Sequence, residues 1–402
     1  MHYTKPSLFH YRTAQLVCGV VAAVVFKKKP LRNEIKGKKG PFVVIANHES
    51  ALDFVNLIGA TSRPMSFVIS SSFYHSLPIR GFLQKMGVIP KQQFQTTVGD
   101  MKKMKAVVDH GQPLVIYPAG LMCEDGLSTP IPAATYKFLK WLGVDVYVAK
   151  VSGTYFVMPK WAKGIRPGRT YLDVYKLFSK EELAELDLEA IQKKTDAALL
   201  FDAYREQEKF RLAYQNNDRI AGLEHVLYQC PHCKTEFSME VRSGSTICCR
   251  NCGYTQVSDR FGLMTNGSGV GPELRYVSDW SRMIHEDLKA RMHQGQECTL
   301  SAKSKFRMID HGKKKFVDAG QGTLSLNRDA FCLEGMIHGE PVSLTVPVSN
   351  IPTLPFSPGR HLEIQDGDDI YRCVLEDGKL VMKFINMVKI FYELRHEPVT
   401  TQ

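Results

Sequence analysis

From Gly40 onward short apolar runs alternate with stretches of helical period. Residues 41–46, 65–70, 113–117 and 144–151 read as strands, and strands alternating with helices imply an α/β sheet. Ser179 with Glu182 forms a capping box that opens a largely helical region to about Gln215, carried by Leu183, Leu186, Ile191, Ala197, Leu200, Tyr204 and Phe210. Ser278 reads as the cap of a helix running to about His293. From Thr299 the pattern changes to short β-like pieces at 316–317, 322–326, 330–333, 342–346, 361–364 and 369–374, divided by Gly, Asp, Asn and Pro turns. Residues 379–394 return to helical period. Leu380, Phe384, Val388, Phe391 and Leu394 share one face there, which predicts a small sheet closed by a C-terminal helix.

The longest apolar run, Leu16 to Phe26, is about half of the roughly 18 to 20 residues that a membrane-spanning helix needs. It is followed by basic residues rather than preceded by them, and no small-residue cleavage site accompanies it, so a signal peptide is not expected. Tyr3, Phe9 and Tyr11 stand before the run, and Lys27, Lys28, Lys29, Arg32, Lys36, Lys38 and Lys39 come after it with Glu34 as the one acid. Six of the eleven excess positive charges of the chain thus lie within thirteen residues. That layout suits a helix lying in a membrane interface beside anionic lipid, and a buried core helix with a solvated lysine tail is the alternative. The expected location is cytoplasmic, peripheral to the inner face of the membrane. With 402 residues, 44% apolar and 23% charged, disorder, collagen and coiled coil are excluded and two or three domains are expected. The division expected is an anchoring segment at 1–39, a catalytic domain at 40–228, a cysteine-bearing insert at 229–262, a helical linker at 263–297 and a β domain at 298–402.

After the first strand comes Asn47-His48-Glu49-Ser50-Ala51-Leu52-Asp53. An imidazole titrating near neutral pH accepts a proton, and a nearby carboxylate fixes its tautomer and stabilises the imidazolium. Residues five apart on a regular helix point about 140° away from each other, so His48 and Asp53 meet only if the segment holds a loop or a helix's first turn. An isolated pair of this kind is more often structural.

Together with three motifs further along the chain, the segment resembles the glycerolipid acyltransferase family, whose best-known members are 1-acylglycerol-3-phosphate acyltransferases. The first family motif stands as Asn47, His48 and Asp53. The second is similar to Leu77-Pro78-Ile79-Arg80-Gly81 with Gly87-Val88-Ile89-Pro90-Lys91, the third to Tyr117-Pro118-Ala119-Gly120, and the fourth to the strand 144–151 with the later Pro159. The resemblance spans about Gly40 to Gly168. It implies acyl transfer from a thioester, acyl-CoA or acyl-carrier protein, to a hydroxyl of a lysophospholipid or related acceptor. His48 is then the general base and Asp53 its partner, with Asn47, Arg80, Gly87, Lys91, Pro118 and Gly120 around the substrate and the turn 87–89 offering N–H groups to the oxyanion. The family's third motif normally reads Pro-Glu-Gly-Thr-Arg, whereas this chain has Pro118-Ala119-Gly120-Leu121-Met122. Both charged groups that organise a phosphate are missing, with Arg80 and Lys91 as replacement cations and Glu124 and Asp125 as nearby carboxylates. A lysophosphatidic acid acceptor is therefore disfavoured, and a catalytically inactive lipid-binding or scaffold protein of the same fold is the rival reading.

Cys230, Cys233, Cys249 and Cys252 form two C-x2-C pairs fifteen residues apart. Four thiolates at that spacing suit a closed, structural Zn²⁺ site in a zinc ribbon, with Cys248 and His232 as competing ligands. The ribbon is expected as an appendage of the catalytic domain. Too few basic residues (Lys234, Arg242, Arg250) and no interleaved aromatics argue against nucleic acid. The stretch Gly267 to Gly271 reads as a linker. The C-terminal region resembles a pleckstrin-homology or GRAM-type module in architecture alone, and its basic residues Lys303, Lys305, Arg307, Lys313, Lys314 and Lys315 read first as a solvated loop. The fold expected is an α/β acyltransferase domain with a mixed sheet, a zinc-ribbon insert and a small β-rich PH-like C-terminal domain. The reaction needs the His48–Asp53 pair in an open groove beside an apolar tunnel long enough for a fatty tail.

Overall fold

The alternating pattern becomes a seven-stranded mixed sheet. In the computed structural model, which describes residues 5–396 apart from 94–96, 215–216, 311, 314 and 368, the chain forms two compact units. Tyr3, Gln215 and Lys314 lie outside the described residues. The first unit holds residues 1–160, 164–219 and 260–262, the second 161–163, 220–259 and 263–402.

The sheet of the first unit has β1 (Lys29–Asn33), β2 (Val43–Ala46), β3 (Ser66–Ser70), β4 (Ile89–Lys91), β5 (Leu114–Ile116), β6 (Val146–Ser152) and β7 (Tyr171–Phe178), in the order β1-β7-β6-β2-β5-β3-β4. Strands β2 to β6 are mutually parallel. β7 runs antiparallel to β6, and β1 parallel to β7. The strands β2, β5 and β6 are continuous apolar runs because both faces are covered. Val43, Ile45, Leu114, Val146 and Val148 are buried against Met104, Val107, Leu139, Ile191 and Leu199 from the flanking helices. Each such side chain contributes roughly 1.5–3 kcal/mol relative to exposure.

Among the described residues ten helices accompany the sheet: α1 (Leu8–Val24), α2 (Asp53–Leu57), α3 (Ser71–Ser76), α4 (Arg80–Lys85), α5 (Val98–Asp109), α6 (Ala134–Leu142), α7 (Thr154–Val157), α8 (Lys180–Glu185), α9 (Leu188–Leu199) and α10 (Ala203–Phe210). The Ser179–Glu182 box opens α8, and a second box, Thr97 with Asp100, opens α5. Helix α1 buries Tyr11, Ala14, Cys18 and Ala22, and Gln15 Nε2 donates to Ile58 O at 2.9 Å and Thr61 O at 2.8 Å. Residues 5–39 are therefore built into this unit, and within the lysine-rich segment β1 is the sheet's edge strand, pinned by the Arg32–Asp173 pair at 2.7 Å. No helix among the described residues is long and apolar enough to cross a membrane.

The second unit begins with a four-stranded antiparallel sheet, β8 (Met239–Arg242), β9 (Thr246–Cys249), β10 (Thr255–Ser258) and β11 (Met264–Asn266). Helix α11 (Val277–His293) is next in the chain. A seven-stranded antiparallel sheet succeeds it, with β12 (Leu300–Asp310), β13 (Lys315–Leu326), β14 (Ala330–Ile337), β15 (Glu340–Pro347), β16 (Phe356–Ser357), β17 (His361–Asp366) and β18 (Asp369–Leu375), ordered β15-β14-β13-β12-β18-β17-β16. Helix α12 (Leu380–His396) ends the described chain. Of the segment read as a basic loop, Lys303, Lys305 and Arg307 lie on strand β12, Lys313 stands in the turn after it and Lys315 opens β13. Lys303 and Lys305 point outward while Ser304 and Phe306 point inward, and with one large inward residue the alternation is easily missed.

The cysteine-bearing sheet shares this unit with the C-terminal sheet and helices, whereas the sequence placed it as an appendage of the catalytic domain. An ion network around buried Lys383 holds it there. Lys383 of α12, 7% exposed, meets Glu236 at 2.5 Å and Glu297 at 3.3 Å. Arg291 of α11 meets Glu236 at 2.8 Å and Glu297 at 2.7 Å, and Trp280 Nε1 donates to Gln229 O at 2.9 Å. Helix α12 is consequently buried around most of its first three turns rather than on one face.

Candidate active site

The parallel strands β2 to β6 aim their C-terminal ends at one edge of the sheet, where ligands of open α/β sheets bind. His48 follows β2, and Asp53 is the first residue of α2. The turn between them bends the chain so that His48 Nδ1 lies 2.9 Å from Asp53 Oδ2.

Asp53 is fully buried. Its Oδ2 also accepts the backbone N–H groups of Glu49 at 2.8 Å and Ser50 at 3.0 Å, and its Oδ1 accepts from Thr154 Oγ1 at 2.5 Å. With its acceptor directions taken by donors, the carboxylate holds Nδ1–H of the imidazole and leaves Nε2 free. Thr154 arrives at the exit of β6 through Gly153, whose φ of 94° suits glycine. The ring of Tyr117 lies on His48 with centroids 4.5 Å apart. Burial, then the Asp53 charge, pushes the Tyr117 hydroxyl well above its ordinary range, so it stays neutral. Glu49 is buried beside the pair, with Oε2 accepting Tyr155 N–H at 3.0 Å and lying 3.1 Å from Thr154 Oγ1. Burial, then the Glu206 and Asp53 carboxylates, raise its pKa well above the ordinary range.

His48 lines a shallow cleft whose other walls are Pro118 and Ala119 after β5, Ser128, Thr129 and Ile131, and Leu199–Phe201 at the end of α9. The enclosed free space in it is only about 10 Å³, room for about one water molecule and far below the roughly 300–1,000 Å³ of pockets that enclose small ligands. It is not the long tunnel for a fatty tail that the sequence reading required.

The remaining sequence candidates are distributed unevenly. Asn47 commits its amide to Val151, donating to its carbonyl and accepting its N–H, both at 2.7 Å, so it clamps β2 to β6 beside the cleft. Gly120 closes the turn after β5, its N–H donating to Tyr117 O at 3.0 Å. Arg80 begins α4, Gly87 lies between α4 and β4, and Lys91 ends β4; none of the three lines the cleft. The Gly87 and Val88 N–H groups donate to Gln84 O and Leu83 O. They close the helix end and are not oxyanion donors. Glu124 is buried, and Asp125 accepts Leu127 N–H at 3.0 Å. Sequence reasoning missed Glu49, Tyr117, Thr154, Ser128 and Thr129. A Gly-Thr pair at a parallel strand's exit is the signal that could have found Thr154.

In the second unit the Sγ atoms of Cys230, Cys233, Cys249 and Cys252 all lie within 4.8 Å of one another. Cys230 and Cys252 are 3.7 Å apart, as are Cys233 and Cys249. A tetrahedral Zn²⁺ with Zn–S bonds of about 2.3 Å sets its sulfurs about 3.8 Å apart, so these four residues fit the ion. Cys248 faces the opposite side of β9, its Sγ 3.7 Å from Glu240 Oε1, and exposed His232 stacks on Tyr254. Neither belongs to the cluster.

Residues 25–146, a little under a third of the chain, match the family model described as Acyltransferase. The chain thus carries an acyltransferase-type domain, and the match contains His48, Asp53 and the turn after β5. No curated protein matches. Among solved structures the chain is similar to the 1-acyl-sn-glycerophosphate (LPA) acyltransferase PlsC from Thermotoga maritima, at 15% identity and a TM-score of 0.41, covering 50% of this chain and 78% of that one. It is also similar to the Ran-binding domain of Nup2 from Ashbya gossypii, at 14% identity and a TM-score of 0.20, covering 25% and 99%. Likenesses this remote do not bear on what the chain does.

Proposed function

We propose that the protein transfers an acyl chain from a thioester, acyl-CoA or acyl-carrier protein, to the hydroxyl of a lysophospholipid or related lipid. The observation that carries this reading is the His48–Asp53 pair, fixed in one tautomer and opening into a cleft at the edge of an acyltransferase-type domain. His48 Nε2 takes the proton of the acceptor hydroxyl as its oxygen attacks the thioester carbonyl. The C–S bond breaks, an ester C–O bond forms, and the proton passes from Nε2 to the leaving sulfur. Asp53 stabilises the transient imidazolium by about 4 kcal/mol at 4 Å and an effective dielectric of 20. The reacting ends meet at the open mouth of the cleft beside His48, and the fatty tails stay in lipid.

A lipid surface is the matching partner of α1. Phe9 is 75% exposed, Leu16 72% and Val24 65%, and Lys27 and Lys29 stand exposed at the helix's end. An apolar face with a basic border suits the cytoplasmic, anionic side of a membrane. The four cysteines hold a structural zinc, which supplies cohesion to the sheet β8–β11 and no chemistry to the transfer.

The test is radiolabelled acyl transfer to a panel of lysolipids. Product is expected from the native chain and a loss of about 10²–10⁴-fold in His48→Ala, the usual contribution of a general base. The substitutions at Ala119 and Met122 favour a non-catalytic lipid-binding protein as the second reading, and a blank panel with lipid binding intact would establish that one instead.

A further inference from the structure

Resting on the acyl-transfer reading, we infer that the acceptor presents its hydroxyl from an uncharged head, a monoacylglycerol-like or glycosylated lipid, and that Thr129 helps to select it. Among the described residues that line the cleft with His48 there is no lysine and no arginine. Its polar groups besides His48 and the Asn47 amide are the hydroxyls of Ser128 and Thr129, and the rest of the wall is apolar: Ile131, Leu199 and Phe201 among others. Ser128 Oγ accepts Phe201 N–H at 3.1 Å and keeps its own hydrogen to donate. Hydroxyls of this kind read a neutral polyol head. They do not neutralise a phosphate.

The charge around the cleft points the same way. Asp53 is an anion directly behind His48, and the loop after the third motif carries Glu124 and Asp125. That carboxylate cluster acts on Cys123, whose buried thiol is pushed well above its ordinary range by desolvation first and then by Glu49, Asp125, Glu124 and Asp53. Lys91, the cation nearest in sequence to the second motif's end, donates to the neighbouring Gln92 carbonyl at 3.0 Å, and burial lowers its pKa. A dianionic phosphate monoester entering here meets like charge and loses its charge-assisted bonds, each worth roughly ten-fold or more in affinity.

The experiment offers the purified full chain palmitoyl-CoA with monoacylglycerol and lysophosphatidic acid together in one neutral-detergent mixed micelle. Surface attraction then acts on both acceptors alike. A kcat/KM ratio of about ten or more in favour of monoacylglycerol is expected. Thr129→Arg is expected to move the ratio toward lysophosphatidic acid by about ten-fold, and Thr129→Val to lower monoacylglycerol kcat/KM several-fold while leaving the KM for palmitoyl-CoA in place. Circular dichroism and zinc content show whether each variant is folded. If the native chain prefers lysophosphatidic acid, the selectivity inference is overturned while acyl transfer stands. If neither acceptor nor any other lysolipid is acylated, the acyl-transfer reading falls and the inference with it.

Discussion

The protonation state of Glu49 can be read from one shared hydrogen. Thr154 Oγ1 has a single proton and two acidic neighbours, Asp53 Oδ1 at 2.5 Å and Glu49 Oε2 at 3.1 Å. The shorter contact takes it. The longer one is attractive only when Glu49 is protonated and donates to Thr154, which agrees with burial raising its pKa. In the unfolded chain Glu49 titrates at the ordinary 4.5, so above that pH the native state holds one proton more than the unfolded state. Its contribution to stability is whole below 4.5 and is lost as pH rises toward the folded value, at about 1.4 kcal/mol per pH unit. Glu49→Gln is a neutral isostere whose carbonyl oxygen, in the place of Oε2, accepts Tyr155 N–H. Within that window the variant is expected to gain about 1.4 kcal/mol over the native protein for each unit of pH. Acyl transfer should change less than about three-fold, since a net hydrogen-bond exchange is worth about 1 kcal/mol or less. Urea titrations at pH 5, 6 and 7, followed by hydrogen exchange of the peptides spanning β2 and β6, report on the first unit alone. Parallel pH curves for the two proteins, or a Glu49→Gln variant less stable at every pH, would refute the protonated assignment.

Further outcomes are expected from the other parts of the molecule. If the four cysteines hold zinc as proposed, Cys249→Ser should lower bound metal below one zinc per chain and expose the amides of β8 and β9, checked by metal analysis with hydrogen exchange, because metal-stapled small sheets draw folding energy from the ion. Lys383→Ala in the zinc-loaded chain should cost less in urea unfolding than the roughly 3–5 kcal/mol of a fully orphaned buried charge, since Arg291 still meets Glu236 at 2.8 Å. On the outer face of α1, the pair Leu16→Glu and Val20→Glu should weaken co-sedimentation with anionic vesicles by about ten-fold or more without loss of helix signal; unchanged binding would move the lipid surface elsewhere.

The features legible in the sequence are the local ones. The strands β2, β3, β5 and β6, the Ser179–Glu182 box and the meeting of His48 with Asp53 depend on spacing within a few residues, and a strand exit leading into a helix's first turn is enough to bring the pair together, whereas β1 and β7 were not read as strands. The cleft wall was not legible, because Ser128, Thr129 and Leu199–Phe201 come together through the pairing of Ser128 with Phe201 across more than seventy residues. Gly87 was misjudged for a related reason: a glycine turn beside a motif suggests free N–H groups, yet here the preceding helix consumes them. The position of the cysteine-bearing sheet depended on Glu236, Arg291 and Lys383, three charges that in sequence look like solvated surface.

The energetics of the site separate the two readings of function. Burying Asp53 completely removes several kcal/mol of hydration, and burying Glu49 beside it forces a second carboxyl to stay neutral. Thr154, two backbone N–H groups and a glycine in the left-handed region are all committed to holding that one carboxylate against one imidazole. A protein that only bound lipid through α1 would fold better with apolar residues at 49 and 53, because isosteric apolar replacement of buried ionic groups is often neutral or stabilising. These hydrogen bonds also tie the turn before α2 to the exit of β6, and the proposed general-base role is a reason for this position to hold an ion instead of an apolar group. The loss of the charged pair at Ala119 and Met122 leaves that machinery untouched, since neither position touches the hydrogen bonds around Asp53. Of the two positions only Ala119 lines the cleft, so on the proposed reading a change there bears on the head group accepted and leaves the His48–Asp53 pair as it is.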